Sequence, residues 1–159
     1  MSNGKSEFVE INKKVKAALD EFYENERNIL DRDHGKGVCE RSLAFRFGLY
    51  LYNHFEKDGI YVDNEFNKDG NSSKHLADSD RFIDLIVHNR ETCNKAKNIL
   101  FIEIKKDHND STVKIDRKKI SEATDMNGKL KYQFGLHLFL ENQEPKLEWY
   151  ENGKKMVKK

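Results

Sequence analysis

Apolar residues recur at helical spacing through the first thirty positions: Phe8, Ile11, Val15, Ala18, Leu19, Phe22, Ile29 and Leu30, with Ser6 available as a cap. The spacing predicts an amphipathic N-terminal helix over about 6–31. The polar run "DRDHGKG" at 31–37 breaks it, and "VCERSLAFRFGLYLYNHF" predicts a second, more apolar and largely buried helix that begins near Gly37. The period then changes to two. "IYVDNEF" alternates as a strand, and "NKDGNSSKHLADSD" is a polar turn region whose Asp69-Gly70 pair signals a hairpin. "RFIDLIVHN" and "NILFIEIKK" predict two apolar strands separated by the short turn "RETCNKAK", close enough for an antiparallel meander. "VKIDRKKISEAT" reads as a basic amphipathic helix with Val113, Ile120 and Ala123 inward and Ser111 or Thr112 as cap, suited to a crossover. "YQFGLHLFL" is a strongly apolar fourth strand. Pro145 and a short hairpin arm "KLEWY", ended by "ENGK", follow, and the lysine-rich end "GKKMVKK" is expected to fray. The order ααβββαββ predicts an α/β (α+β) fold with a mixed four-stranded main sheet flanked by helices.

Composition narrows this to one domain over 1–159, because a chain of 159 residues leaves no room for two well-filled cores. Hydrophobic and charged residues each make up 36%, so a core forms beneath a heavily charged surface. No apolar run approaches the ~20 residues of a membrane span, and "MSNGKSEFVE" lacks the apolar segment of a secretory signal. A soluble, cytoplasmic protein without a membrane partner is the expectation. Cys39 and Cys93 are isolated, which indicates neither a zinc site nor a disulfide framework. A net charge of +1 argues against coating nucleic acid by bulk electrostatics, although a basic excess follows Ile104 and leaves room for a local basic face.

The chemistry concentrates in "NILFIEIKK". On an extended strand Glu103 and Lys105 share a face with Phe101, while Leu100, Ile102 and Ile104 take the other. An isolated E-x-K is commonly a solvated face, but apolar flanks make this strand central, and its charges need another explanation. Asp84 interrupts the preceding strand between Ile83 and Leu85. Two acids on neighbouring buried strands repel unless a cation neutralises them, and oxygen ligands favour magnesium or manganese. Glu40 precedes Leu43, Ala44 and Phe47 on the apolar stripe of the second helix and supplies a third acid, although an acid at a helix N-terminus is stabilised without any metal.

These residues, with "ERS" at 40–42, "VDNEFN" at 62–67, "IDLIVHNR" at 83–90, "IEIKK" at 102–106 and "YQFGL" at 132–136, resemble the PD-(D/E)xK nuclease superfamily. Within it they resemble a group of small bacterial restriction-endonuclease-like proteins, whose P-D pair has Ile83 here in place of proline. The resemblance covers nearly the whole chain and implies a restriction-endonuclease-like core with an extra N-terminal helix. It also implies a magnesium- or manganese-dependent nuclease, and more specifically an endonuclease. In that reading Asp84, Glu103 and the Ile104 carbonyl bind the metal, Glu40 completes the shell, and Lys105 holds or deprotonates the attacking water or offsets developing charge. The resemblance also places Glu65 in the site, where a solvent-facing strand edge is the competing reading. His88 could orient phosphate or water, and is otherwise a hydrogen-bonded structural histidine. Arg90, Arg117 and Lys119 are candidates for phosphate contact, against simple solvated charge. The implied partner is nucleic acid, DNA before RNA, with a homodimer or a larger assembly left open. The alternative is a catalytically inactive module of the same fold that binds nucleic acid or protein, as a subunit of a defence or repair complex.

Overall fold

A computed structural model describes residues 3–30, 38–57, 59–64, 68–69, 72–73, 83–91 and 97–157. Among them are four helices, α1 (Asn3–Asn25), α2 (Arg27–Leu30), α3 (Glu40–Phe55) and α4 (Val113–Thr124). The strands are β1 (Tyr61–Asn64), β2 (Lys68–Asp69), β3 (Ser72–Ser73), β4 (Leu85–His88), β5 (Asn98–Lys105), β6 (Phe134–Phe139), β7 (Lys146–Glu151) and β8 (Lys154–Lys155). The fold is mixed α and β. Six strands form one sheet in the order β1-β4-β5-β6-β7-β8, with only the β5–β6 pair parallel. β2 and β3 pair antiparallel as a separate two-stranded sheet, and Gly70 of the expected Asp69-Gly70 turn lies outside the described residues.

Alternation along β5 divides the interior. Leu100, Ile102 and Ile104 join α1 and α3 in one core through Val15, Phe22, Phe47 and Leu51, with Leu136 and Leu138 of β6. Phe101 faces the opposite side with Ile86, Ile120, Ala123, Tyr132 and Tyr150, beneath α4. The parallel β5–β6 pair requires a crossover, which α4 supplies, so α4 covers the face that carries Glu103 and Lys105. Gly135 makes this close packing feasible: a Cβ there would lie 2.3 Å from Ile120 Cγ2.

Three expectations change. The sheet has six strands rather than four main ones, because the β7–β8 hairpin pairs onto β6 and extends that edge. Residues 154–155 do not fray: Asn152 and Gly153 both have positive φ, 48° and 72°, and return Lys154–Lys155 against Tyr150–Glu151. The long first helix ends at Asn25, where Glu26 turns its carboxylate to Arg46 and Tyr50 of α3 before the single turn of α2.

Candidate functional site

The polar residues of interest collect at the C-terminal end of β5, between the sheet and α4. Glu103 is 3% exposed, and both its oxygens accept hydrogen bonds from Lys119 Nζ of α4 at 3.1 Å. Lys105 Nζ donates to Glu40 Oε2 at 2.9 Å and lies 3.3 Å from Asp116 Oδ2, outside hydrogen-bond geometry. Asp116, also 3% exposed, approaches Lys119 through its other oxygen at 3.4 Å. Asp84 sits immediately before β4, where its Oδ2 accepts the Ile104 N–H at 2.7 Å. The antiparallel ladder between β4 and β5 closes at Leu85 and Ile102, so this carboxylate satisfies the next β5 amide.

The electrostatics follow from burial. Burial pushes the Asp84 carboxyl up to about 6, against the opposing pull of the Ile104 amide, Lys119 and Lys105. Glu103 is raised well above the carboxylate range, by burial first and by the neighbouring Asp84 charge second. Burial works against the Lys105 ammonium too, but the Glu40 hydrogen bond and the Asp116 charge outweigh it and hold Lys105 above its ordinary value. Glu40, Asp84, Glu103 and Asp116 face two lysines, so the fully ionised group carries two uncompensated negative charges.

The structure therefore brings Asp84, Glu103, Lys105 and Glu40 into one neighbourhood and adds two residues that sequence reasoning missed. Asp116 lies on α4, a helix read for its apolar positions and its basic residues. His137 lies on β6 directly beside Glu103 in the parallel register. Its imidazole is fully buried, Nε2 is 3.9 Å from Asp116 Oδ2, and burial lowers its pKa to about 4, so it is neutral at pH 7. Asp116 Oδ2 and both His137 nitrogens are the buried side-chain atoms without a hydrogen-bond partner among the described residues.

The candidate phosphate contacts are placed differently. Lys119 is not a surface cation; it is buried on Glu103. Arg117 makes a bidentate pair with Glu148 at 2.9 and 2.7 Å. His88 and Arg90 lie at the far end of the sheet: His88 pairs with Asn98, five residues before Glu103 on β5, or roughly 17 Å at strand spacing. There His88 Nε2 is 2.7 Å from Asp63 Oδ2, and Arg90 grips both oxygens of the same carboxylate. Arg90 also takes a left-handed φ of 56° and stacks over Tyr61, a position fixed by structure. His88 keeps the face of Ile86 and reaches Asp63 there, so distance along the sheet separates it from Asp84, which lies just before the strand. Glu65 lies outside the described residues.

One further group has metal-ligand character. Asp107, His108 and Glu141 place a ligating atom each within 4.8 Å of one another, the only such trio among the described residues. Lys146 already occupies it, 2.9 Å from Glu141 and 3.2 Å from His108 Nδ1. The interior acids, in contrast, are spaced by the ammonium groups of Lys105 and Lys119. Among the described residues no helix is long and apolar enough to cross a membrane. Comparison with known proteins adds no assignment: no family model, curated protein or solved structure matches the chain.

Proposed function

We propose that this chain is a divalent-metal-dependent nuclease that hydrolyses phosphodiester bonds of nucleic acid as an endonuclease, on a restriction-endonuclease-like core. The observation that carries the reading is the buried charge imbalance: four carboxylates against two lysines, with Asp84 and Glu103 already driven toward protonation. A hard dication fits that group in charge and in donor type, since all the anionic ligands are oxygens. Asp84, Glu103 and the Ile104 carbonyl are the residues that would hold it, with Glu40 nearby. When bound, magnesium or manganese supplies positive charge to the phosphoryl oxygens and acidifies a water.

The chain's own residues do the rest. Lys105, kept charged by Glu40 and Asp116, acts as a hydrogen-bond donor and fixed cation rather than as a base. It can orient the attacking water or stabilise charge growing on phosphate. Lys119 fixes the orientation of Glu103 from α4. The cost of holding these acids together in a site 3% exposed at Glu103 has no structural return without such a role.

The test is cleavage of single- and double-stranded DNA and RNA by purified protein with manganese, abolished by EDTA. Glu103→Ala should lose activity with metal binding, whereas Lys105→Ala should lose activity and still bind manganese, because deleting a cation cannot weaken attraction between carboxylates and an ion. Equal trace cleavage by wild type and Lys105→Ala would mark a contaminant. The second reading, an inactive module, is favoured by one feature: Lys119 already neutralises Glu103 from within.

A further inference from the structure

We infer that one stripe of α3 is the seam of a homodimer, seated against the same stripe of a second copy of this chain in antiparallel alignment. The apolar pattern predicts α3 to be largely buried, and Leu43, Ala44, Phe47, Leu51 and Phe55 are. Phe45, Leu49 and Tyr52 are not: they are 53%, 44% and 50% exposed. Among the described residues they are three of the seven exposed large hydrophobic side chains, and the other four lie singly, Val9 on α1, Ile115 on α4, Met126 beyond α4 and Val157 past β8. Single exposed apolar residues are ordinary, whereas a contiguous row marks an interaction surface.

Charge selects the occupant. Steps of four, four, three and four residues link Arg41, Phe45, Leu49, Tyr52 and Glu56, so all five fall within roughly 80° of the helix circumference. A cation stands at one end of this stripe and a carboxylate at the other, where Glu56 is steadied by the Val62 N–H that its Oε1 accepts at 3.3 Å. Turning a second copy end for end about a two-fold axis between residues 48 and 49 lays Phe45 against Tyr52, Leu49 beside its own copy, and Arg41 against Glu56 at both ends. A parallel alignment would instead set like charges together. The stripe is thus complementary to itself, as an isologous contact requires. Glu40 lies roughly 140° around the helix from the centre of the stripe, so pairing leaves the buried acids uncovered and the inference stands apart from the metal reading. A seam one helix long is small among specific interfaces, which places the dimer in the micromolar range.

The test is sedimentation equilibrium of the full chain from about 1 to about 300 μM, with EDTA present so that no metal bridges two chains. Wild type should pass from the 18.7 kDa of one chain toward twice that mass. Leu49→Asp should weaken association at least roughly a hundredfold, because two carboxylates would face each other across the axis. Arg41→Glu and Glu56→Arg should each weaken it roughly fivefold or more, and the double exchange should return it to within about threefold of wild type. That rescue reports the antiparallel seam, since no other pairing of this face joins residue 41 to residue 56. Circular dichroism checks the folding of each variant, and Tyr52→Asp replaces Leu49→Asp should the latter not fold. A wild type that stays monomeric throughout leaves the stripe to a different protein and overturns the inference. A dimer that Leu49→Asp leaves within about twofold of wild type, or single exchanges that the double does not rescue, overturns it as well.

Discussion

The two ends of the sheet hold buried charge in opposite balance. At one end Asp63 alone meets Arg90 and His88; burial raises its carboxyl, but these partners outweigh that and bring it below the ordinary range. At the other end four acids share two lysines, and Asp84 and Glu103 rise. The first cluster is complete as built and stabilises the fold, whereas the second pays for its own assembly and gains from an added cation. Residues with similar charge and similar strand placement thus serve unlike ends, and the sign of the imbalance separates them.

The largest effect should separate the clusters by activity. Lys105→Ala should lower manganese-dependent cleavage by roughly a thousandfold or more, while Arg90→Ala changes it by no more than about threefold, read from initial rates on one substrate. Equal losses would merge the two clusters into one site. Next comes metal-linked stability. Manganese at a hundred times its Kd should stabilise the wild type by about 2.7 kcal/mol, seen as a rise in Tm. Asp84→Asn should remove most of that rise, and Asp63→Asn should keep it.

The pH dependence should then differ in sign. The Asp84 carboxyl, raised to about 6 in the folded protein, binds its proton there while the unfolded chain has already lost it, so its contribution to stability falls as pH rises from about 4 to about 6. The advantage of Asp84→Asn over wild type should therefore grow across that window, reaching roughly 2–3 kcal/mol by denaturant unfolding without metal. Using the difference between the two proteins removes His137, whose lowered value near 4 makes its own contribution rise with pH between about 4 and 6.5. Asp63→Asn should behave oppositely. Its cost should be present at pH 7 and shrink as pH falls through the acid range, by roughly 1 kcal/mol for a partly exposed pair.

Much of the frame was legible in the residues, and what was missed has identifiable causes. The α4 boundaries, Val113–Thr124, match the apolar period, and the parallel β5–β6 pair follows from a crossover helix between two strands. Asp116 was available to the same reasoning that found Glu40: Val113, Asp116, Ile120 and Ala123 share one stripe, with the acid in its middle. His137 and Asp63 were not, because strand register and not composition sets them beside Glu103 and His88. Lys119 read as surface because an isolated lysine usually is; only the approach of α4 over Gly135 buries it. The β7–β8 turn was legible as "ENGK" at the end of the arm, with Asn152-Gly153 as its hairpin signal; only the return of Lys154–Lys155 onto β7 was not, because a run of lysines reads as a frayed end.

The most direct measurement is anomalous scattering from crystals of the full chain soaked in manganese. A peak bound by Asp84 and Glu103 at the C-terminal end of β5, absent after soaking Asp84→Asn crystals, is the expected result. A map with no peak there, or with manganese only at the exposed Asp107, His108 and Glu141 group, would contradict the assignment of the buried acids to a metal centre.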